Sequence, residues 1–395
     1  RKGMRRNIII AVLFFTGITL YAQTGSMDRI LRSIEQNNKE LQANEHLTEA
    51  RKLTDKTDNN LPDPAVSYSY TYGSPQELGK SGELTVTQGF DFPTAYSSRN
   101  KLNKLKAETL DKQYAATRRD ILLRAKELCL DLILLNQESN LLSERLKNAE
   151  TLAQVYEKRL QTGDANILET NKIKMELMKV QAEVVTNEAT REAKLQELIA
   201  MNDNQPLTFT ETTYMPVEEL ADFAQLKQEV LASDLNLQSL ESESLAARKQ
   251  ITVEKSGWLP KLEIGYRRNT GIGEQFNGFI VGGSLPLFNN KNKVKASKAQ
   301  SLYTDLQKES AEQQVEATLL ALYSEAVKVR NTMKAYDLQL LNTNAELLKK
   351  ALDSRQISMT EYFTEIENSF QTRMDYMQLE NRYQKVIGQI FKNRL

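Results

Sequence analysis

Apolar residues alternate with small polar residues in two parts of the chain, which is the pattern of β-strands. Valine and tyrosine alternate with serine and threonine over residues 66–72, and residues 84–92 alternate in the same way. A polar, glycine-containing turn separates these runs, so the pattern predicts a β-hairpin over about residues 65–93 with one apolar-aromatic face. A less regular alternation predicts a second hairpin over residues 261–288.

The length and polarity of these strands fit two kinds of protein. Each predicted strand has about 9–11 residues, which is enough to cross a bilayer when the strand is tilted. One aromatic face and one polar face are typical of a membrane barrel strand. A half-buried hairpin of a soluble protein has the same alternation, so the strands alone leave both interpretations open.

Most of the remaining sequence has the three- and four-residue spacing of amphipathic helices. No proline or glycine interrupts residues 96–162, and about 65 helical residues span on the order of 100 Å. That is far longer than a globular domain requires. The predicted helices cover residues 27–59, 96–162, 166–200, 292–354 and 358–392.

The order of these elements occurs twice, roughly 200 residues apart. The Leu61-Pro62 pair before the first hairpin corresponds to Leu259-Pro260 before the second. The fold class is therefore mainly α with a small β part, built from a duplicated unit of long coiled-coil helical hairpins and two β-hairpins. Neither unit has a compact core, so each must bury its apolar faces against something else.

The repeat divides the chain into segments. We expect a first repeat over residues 23–203 and a second over residues 219–395, each with a helix, a β-hairpin and a long helical hairpin. Residues 204–218 would join them and leave room for a short strand.

Each helical hairpin is predicted to turn at a tip, near residue 163 in the first repeat and near residue 356 in the second. Gly163 suits the left-handed position that ends a helix. The next helix then starts with a capping box, Asn166 with Glu169 at the first tip and Ser358 with Glu361 at the second. Because Arg355 stands where the first tip has Gly163, we expect the second turn to be looser or closed differently.

Charge and composition exclude several function classes. Lysine plus arginine and aspartate plus glutamate number 52 each, so no basic excess favours nucleic acid. The single cysteine, Cys129, lies in an apolar helical stripe and is interpreted as packing, and the single histidine, His46, as a solvated side chain. We therefore predict no catalytic residue, cofactor or metal site, and no enzymatic activity.

The N-terminus has the features of a signal peptide. Arg5 and Arg6 precede an apolar run over residues 8–20, and Ala22 is the small residue that a signal peptidase requires. We expect residues 1–22 to be removed and the protein to be exported. A retained membrane anchor is the alternative, although about 13 apolar residues are too few to span a bilayer.

Four strands of this length cannot close into a barrel, because small barrels need about eight strands. An open sheet with a lipid-type face would leave edges that a bilayer does not tolerate. Several copies must therefore contribute to one barrel, two giving eight strands and three giving twelve.

The duplicated unit resembles the TolC-type outer membrane efflux proteins over essentially the whole predicted mature chain. The resemblance is carried by the ordered set of motifs, since no single one is specific. These motifs are Leu259-Pro260-Lys261-Leu262, Ser284-Leu285-Pro286-Leu287-Phe288, the tip segment from Thr162 to Glu169, and Gln88-Gly89-Phe90-Asp91-Phe92-Pro93, which is similar to the metal-efflux branch.

The resemblance implies a homotrimer with a twelve-strand β-barrel in the outer membrane and a helical barrel in the periplasm of a Gram-negative cell. It also implies a periplasmic adaptor and an inner-membrane pump, often of the resistance-nodulation-division type. The function expected is a passive exit duct of unspecified cargo. A periplasmic coiled-coil structural or adaptor protein without a pore is the alternative.

Candidate functional residues follow from these motifs. Glu361 matches the acids that narrow the periplasmic aperture of the family, but the favoured interpretation is that it only caps a helix, as expected for Glu169. The tip residues expected at the adaptor are Gly163, Asp164, Asn166, Arg355 and Ser358. The aromatic residues expected at the lipid interface, with core packing as an alternative for the tryptophan, are Tyr68, Tyr70, Tyr72, Trp258 and Tyr266.

Overall fold

The computed structural model describes residues 26–75, 77, 79–271 and 273–395. The predicted signal peptide, residues 1–22, lies outside the described residues. The described chain is mostly helical and contains one four-stranded antiparallel sheet. The predicted fold class is thereby confirmed for the single chain.

The first half contains two short helices, two strands and two long helices. They are α1 (Ser26–Asn37), α2 (Lys39–Thr57), β1 (Ala65–Tyr72), β2 (Lys80–Phe90), α3 (Pro93–Thr162) and α4 (Ile167–Met201). Proline at the first position of α3 fits a helix start, where its missing N–H leaves no hydrogen bond unmade.

The second half repeats this order with one additional helix. Its elements are α5 (Phe223–Ser233), α6 (Leu235–Ser256), β3 (Lys261–Gly271), β4 (Glu274–Ser284), α7 (Lys293–Met333), α8 (Leu338–Asp353), α9 (Met359–Ile390) and a final 3₁₀ turn, Lys392–Arg394. The second hairpin ends at Ser284 and not at residue 288, because Pro286 has no N–H to donate to a strand ladder.

Two predicted helices are interrupted, which corrects the expectation of continuous helices over residues 27–59 and 292–354. Asn38 leaves the helical path between α1 and α2, and its side chain accepts a hydrogen bond from the N–H of Leu41 at 2.9 Å. Asp337 caps α8 in the same way through the N–H of Leu340 at 3.0 Å. Asparagine and aspartate are strong N-caps, so a helix can restart at these residues without proline or glycine.

The sheet has the order β1-β2-β3-β4, so the two hairpins lie side by side. Tyr68 pairs with Leu84 between β1 and β2, and Val86 pairs with Tyr266 between β2 and β3. Tyr266 in turn pairs with Phe279 of β4. The central β2–β3 ladder joins the two halves of the chain, and β1 and β4 form the sheet edges.

Helix α3 is the structural centre of the helical part. It packs against α4 along the first helical hairpin, and also against α6 and α9 of the second half. Between α3 and α6, the side chain of Lys112 donates to the hydroxyl of Ser242 at 3.0 Å. The two halves are therefore held together along the length of α3 as well as through the sheet.

Burial is divided among three hydrophobic clusters. The first lies between α1, α3 and α4 and includes Ile34, Leu132 and Leu198. The second lies near the tips of the helical hairpins, and the third joins α5, α7 and α9. No single hydrophobic core extends through the whole described chain, as expected for long helices packed side by side.

The connection between the halves is irregular and contains no strand within residues 204–218, which corrects that expectation. Phe209 is buried in the first cluster. The side-chain amides of Asn136 and Gln137 donate to the carbonyl oxygens of Glu211 and Thr212 at 2.9 and 2.8 Å. These side-chain amides of α3 thus form hydrogen bonds with backbone carbonyl groups that would otherwise need a neighbouring strand.

None of the described helices is both long enough and apolar enough to cross a lipid bilayer.

Candidate functional site: a two-faced sheet and the tips of the helical hairpins

One face of the sheet is apolar and exposed. The strand register places alternate residues of all four strands on this apolar face, because side chains alternate between the two sides of a strand. It consists of Val66, Tyr68, Tyr70, Tyr72, Lys80, Gly82, Leu84, Val86, Gln88, Phe90, Leu262, Ile264, Tyr266, Arg268, Thr270, Gln275, Asn277, Phe279, Val281 and Gly283.

The opposite face is polar. Arg267 pairs with Glu83 at 3.3 Å, and the hydroxyl of Ser81 donates to Asn269 at 2.9 Å. Every carboxylate of the four strands lies on this polar face. The strand register places Glu83, Glu263 and Glu274 on the same side of the sheet as Arg267. The sheet therefore offers one surface suited to lipid and one suited to water.

The predicted interface aromatics fall into two groups. Tyr68, Tyr70 and Tyr72 lie with Tyr266 on the apolar face, and all four side chains are exposed. Trp258 lies outside the sheet, in the turn after α6, and is 48% exposed. Core packing of Trp258 is therefore excluded within the single chain.

The two most exposed large hydrophobic residues of the apolar face were not among the predicted interface residues. Phe279 is 91% and Val281 is 86% exposed. The apolar Ile280 lies on the opposite face and blurs the alternation of β4, so the pattern gave a weak signal there. Only the strand register of the structure shows that Phe279 lies beside Tyr266, with ring centroids 6.3 Å apart.

A cluster of charged residues connects the sheet to the helices. Asp91 follows β2 and pairs with Arg99 of α3 at 2.7 Å and with Lys261 of β3 at 3.5 Å. Burial raises the pKa of Asp91, but the hydrogen bond and charge of Arg99, aided by Lys261, outweigh it and hold this pKa below its ordinary value. The ionised Asp91 thus links both central strands to α3.

The first helical tip closes as predicted. Gly163 has a left-handed backbone with φ of 81°, and the N–H of Asp164 donates to the carbonyl of Arg159 at 2.7 Å. Asn166 and Glu169 form both hydrogen bonds of a capping box, at 2.9 and 3.2 Å.

The second tip closes in the same way, so the expectation of a different turn is wrong. Arg355 takes the left-handed conformation with φ of 56°, and the N–H of Gln356 donates to the carbonyl of Ala351 at 2.9 Å. The turn is closed by backbone hydrogen bonds that any residue able to adopt positive φ can support.

Glu361 caps helix α9. Its carboxylate accepts from the backbone N–H of Ser358 at 2.7 Å, and its own N–H donates to the Ser358 hydroxyl at 3.2 Å. The backbone hydrogen bond from Ser358, with the Ser358 side chain second, lowers the pKa of Glu361. The side chain is exposed and carries its negative charge at neutral pH.

The two tips pack against each other. Lys172 of α4 donates to the hydroxyl of Thr360 at 2.9 Å, and Asn148 of α3 donates to the Tyr362 hydroxyl at 2.6 Å. Leu352 is buried in the cluster beneath them, and Ile357 packs against that cluster. The tips therefore form one unit, in which α8 and α9 lean on α3 and α4.

A buried arginine joins three helices above this unit. Arg145 of α3 pairs with Glu176 and Glu183 of α4, each at 2.6 Å, and with Glu367 of α9. Lys179 also bonds to Glu367 at 2.6 Å. The network joins charges that are far apart in the chain, so no spacing along a single helix could have shown it.

The isolated cysteine and histidine behave as predicted. Cys129 is fully buried, and burial raises the pKa of its thiol to about 12. His46 lies exposed on α2. Within the described residues no group of three or more histidine, cysteine or carboxylate side chains is arranged to hold a metal ion.

Solved structures share this arrangement. The chain matches a membrane protein from Pseudomonas aeruginosa with a TM-score of 0.77 and 14% identity, over 93% of each chain. It matches the CmeC outer membrane channel of Campylobacter jejuni with a TM-score of 0.71 and 14% identity, over 93% of this chain and 85% of that one. The open-state MtrE outer membrane channel of Neisseria gonorrhoeae gives 0.72 and 14%, over 93% and 88%. The chain has the outer membrane channel fold.

The channel fold rests on structure and not on sequence similarity. No protein-family model matches the sequence, and no curated protein matches it significantly. At 14% identity the match shows how the chain folds, and the sequence resemblance to TolC-type proteins is confirmed at the level of the fold.

Proposed function

We propose that three copies of this chain form an outer-membrane channel, the passive exit duct of a tripartite efflux pump. The observation that carries this proposal is the sheet with one exposed apolar face and one polar face. Such a sheet needs lipid on one side and water on the other.

The edges of the sheet favour assembly. Strands β1 and β4 each have one neighbour in the described chain, so both leave backbone groups unpaired. In a bilayer these groups must pair with strands of other copies. Three copies would supply twelve strands, the number that the TolC-type resemblance implies.

The helices favour the same assembly. Exposed apolar residues recur on α4 with spacings of a coiled-coil seam, at Leu168, Met175, Met178 and Val185. On α8, Leu340 and Leu347 are exposed seven residues apart. Neighbouring copies would bury these stripes and complete a helical barrel, which α3 with its 70 residues would extend for roughly 100 Å into the periplasm.

The tips would meet the partners. The end of the helical barrel carries Gly163, Asp164, Asn166, Arg355 and Ser358, where we propose that a periplasmic adaptor docks. The adaptor would connect the channel to an inner-membrane pump, which the resemblance implies to be of the resistance-nodulation-division type. The pump supplies the energy, and the channel itself performs no reaction.

Glu361 would lie at the periplasmic opening. One of its carboxylate oxygens accepts a hydrogen bond from the backbone N–H of Ser358, yet the side chain remains exposed and negatively charged. In a trimer three such charges would surround the aperture and attract cations. We therefore propose that Glu361 caps α9 and also contributes to cation selectivity.

The alternative function, a periplasmic coiled-coil protein without a pore, is not favoured. Such a protein has no use for an exposed sheet face that carries tyrosine, phenylalanine and valine side chains without a partner. Exposed apolar surfaces of this kind mark contact with membrane or protein.

The experiment that tests the proposal is production of the full chain in a Gram-negative host, followed by membrane fractionation. We expect the protein in the outer-membrane fraction, a trimer band on gels of unheated samples that disappears on heating, and stepwise conductance in planar bilayers. A soluble monomer without conductance would exclude the channel.

A matched pair of variants tests the helical seam. Leu347→Glu places a charge in the proposed contact between copies and should reduce the trimer band. Lys349→Glu changes an exposed residue two positions away, off the seven-residue stripe, and should leave the trimer intact.

A further inference from the structure

The apolar face of the sheet changes character toward the turns that lie farthest from the helices. Tyr266 has Val86 and Phe279 as its cross-strand neighbours. Two residues farther along β3, about 7 Å by the rise of a strand, Arg268 lies between Leu84 and Asn277. The apolar surface therefore ends in a polar row.

The charged residues on the apolar face of the sheet are all positive. Arg268 and Lys80 are the charged residues that the strands place there, and both are exposed. Arg268 donates to the side-chain oxygen of Gln275 at 3.2 Å. No carboxylate of the described residues forms an ion pair with either side chain, whereas Arg267 on the polar face pairs with Glu83.

A tyrosine lies in the same cross-strand row as each of these cations. Tyr68 pairs with Leu84, the β2 neighbour of Arg268, and Tyr72 pairs with Lys80. The Tyr68 hydroxyl leans over Gly82, where an added Cβ would lie 2.5 Å from its oxygen. The ring thus directs its polar atom toward the turn end of the sheet, as tyrosines do at the headgroup level of a membrane.

We propose that Arg268 and Lys80 bind phosphate groups of anionic lipids in the outer leaflet, an inference that rests on the proposed insertion of the sheet in the outer membrane. The helices leave the sheet at one end, so its turns face the exterior. Lipid tails would cover the row of Tyr266 and Phe279. At the next row the guanidinium of Arg268 meets the lipid headgroups, where phosphate is the complementary charge. The ammonium group of Lys80 lies on the same face, four residues along β2 from Leu84, the partner of Arg268.

The test uses the full-length protein in bilayer discs of zwitterionic phosphatidylcholine, with and without lipid A as the anionic phospholipid. Lipid A retained per protein after transfer into detergent is measured by mass spectrometry. We expect the wild type to retain lipid A in preference to phosphatidylcholine. The Arg268→Gln, Lys80→Gln variant should retain less, by roughly fivefold for each charge removed.

Two control variants separate a charge effect from a folding effect. Arg267→Gln removes the same charge from the opposite face and should leave lipid A retention unchanged. Arg268→Lys keeps the positive charge at this position and should retain nearly as much lipid A as the wild type. It therefore tests the charge at residue 268 even if the double variant folds poorly. Equal loss in Arg267→Gln, or no loss in the double variant, would overturn the inference.

The source of the phosphate is tested separately. Excess inorganic phosphate should not release the lipid, because the acyl chains contribute to binding on the adjacent apolar face; complete release by phosphate would show an anion site without lipid specificity and would refute the proposal. A conducting, membrane-inserted wild type without preference for lipid A would refute this inference alone. Failure of the wild type to insert would refute the proposed function as well.

Discussion

Arg355 takes at the second helical tip the same left-handed backbone conformation that Gly163 takes at the first, with φ of 56° and 81°. Both tips are closed by the same kind of backbone hydrogen bond, from Asp164 to Arg159 and from Gln356 to Ala351. Glycine adopts this conformation without steric cost, whereas a side chain clashes with its own backbone. The two tips thus have the same geometry with different strain.

Replacement of Arg355 by glycine should stabilise the second tip, by about 1 kcal/mol, since it removes this strain. Gly163→Ala should destabilise the first tip by a similar amount. Hydrogen exchange at the N–H groups of Gln356 and Asp164 measures each tip separately. Arg355→Ala keeps the strain and serves as the control; equal protection in Arg355→Gly and Arg355→Ala would show that positive φ costs nothing here.

The two faces of the sheet should respond oppositely to an introduced charge. Val281→Arg places a charge on the apolar face and should reduce membrane assembly, at a cost of about 2–4 kcal/mol near the bilayer centre. Gly282→Arg changes the next residue, on the polar face, where an added Cβ meets no neighbour within 4 Å. It should assemble normally.

The yield of heat-sensitive trimer in the outer-membrane fraction measures this difference. If Gly282→Arg impaired assembly and Val281→Arg did not, the assignment of the faces would be reversed. The conductance of the Gly282→Arg channel gives a second measurement, because the proposed water-filled side should become more selective for anions.

The buried Arg145 should be important for stability. Arg145→Met leaves Glu176, Glu183 and Glu367 close together without their shared cation, and the loss of one partner from a buried network costs about 3–5 kcal/mol. Thermal unfolding followed by circular dichroism should show a lower midpoint. Arg124→Met removes an exposed arginine that pairs with Glu197 and should cost less than about 1 kcal/mol.

An equal effect of the two arginine variants would contradict the role of the network. Adding Glu367→Gln to Arg145→Met should restore part of the lost stability, because it removes one of the three repelling charges. This rescue distinguishes charge repulsion from lost packing of the arginine side chain against Phe370.

The cap at the second tip should depend on pH through Glu361. Its pKa in the folded protein is lowered from the ordinary value of 4.5, so folding favours the ionised form. The stabilisation is therefore complete above the unfolded value and is lost as the pH falls through the lower, folded value. Protection of the Ser358 and Glu361 N–H groups, taken as their exchange rate relative to the unfolded chain at the same pH, should fall at acidic pH in the wild type.

Glu361→Gln should make this acid-dependent loss of protection disappear, with protection already lower at neutral pH. Ser358→Ala removes the reciprocal cap and should weaken the same turn without removing the titrating group. In planar bilayers, Glu361→Gln should also reduce cation selectivity if three carboxylates ring the aperture. Unchanged current across pH would leave Glu361 as a helix cap only.

The local features of the fold could be predicted from the sequence. Strand alternation from Val66 to Tyr72 and the capping boxes at Asn166 and Ser358 depend on neighbouring residues, so they appear directly in the sequence pattern. The breaks at Asn38 and Asp337 were missed because asparagine and aspartate also occur inside or beside uninterrupted helices. Whether such a residue caps a new helix is therefore seen only in the structure, where the backbone leaves the helical conformation.

The sequence by itself determined the element types, the duplication and the two faces of the strands with regular alternation, because these follow from the two- and 3.6-residue periods of the backbone. Only the tertiary structure decided which residues meet across elements. It brought Arg145 to carboxylates on α4 and α9, paired β2 with β3, and placed Arg268 at the end of an apolar face. Those contacts join residues far apart in the chain, and no local period encodes them.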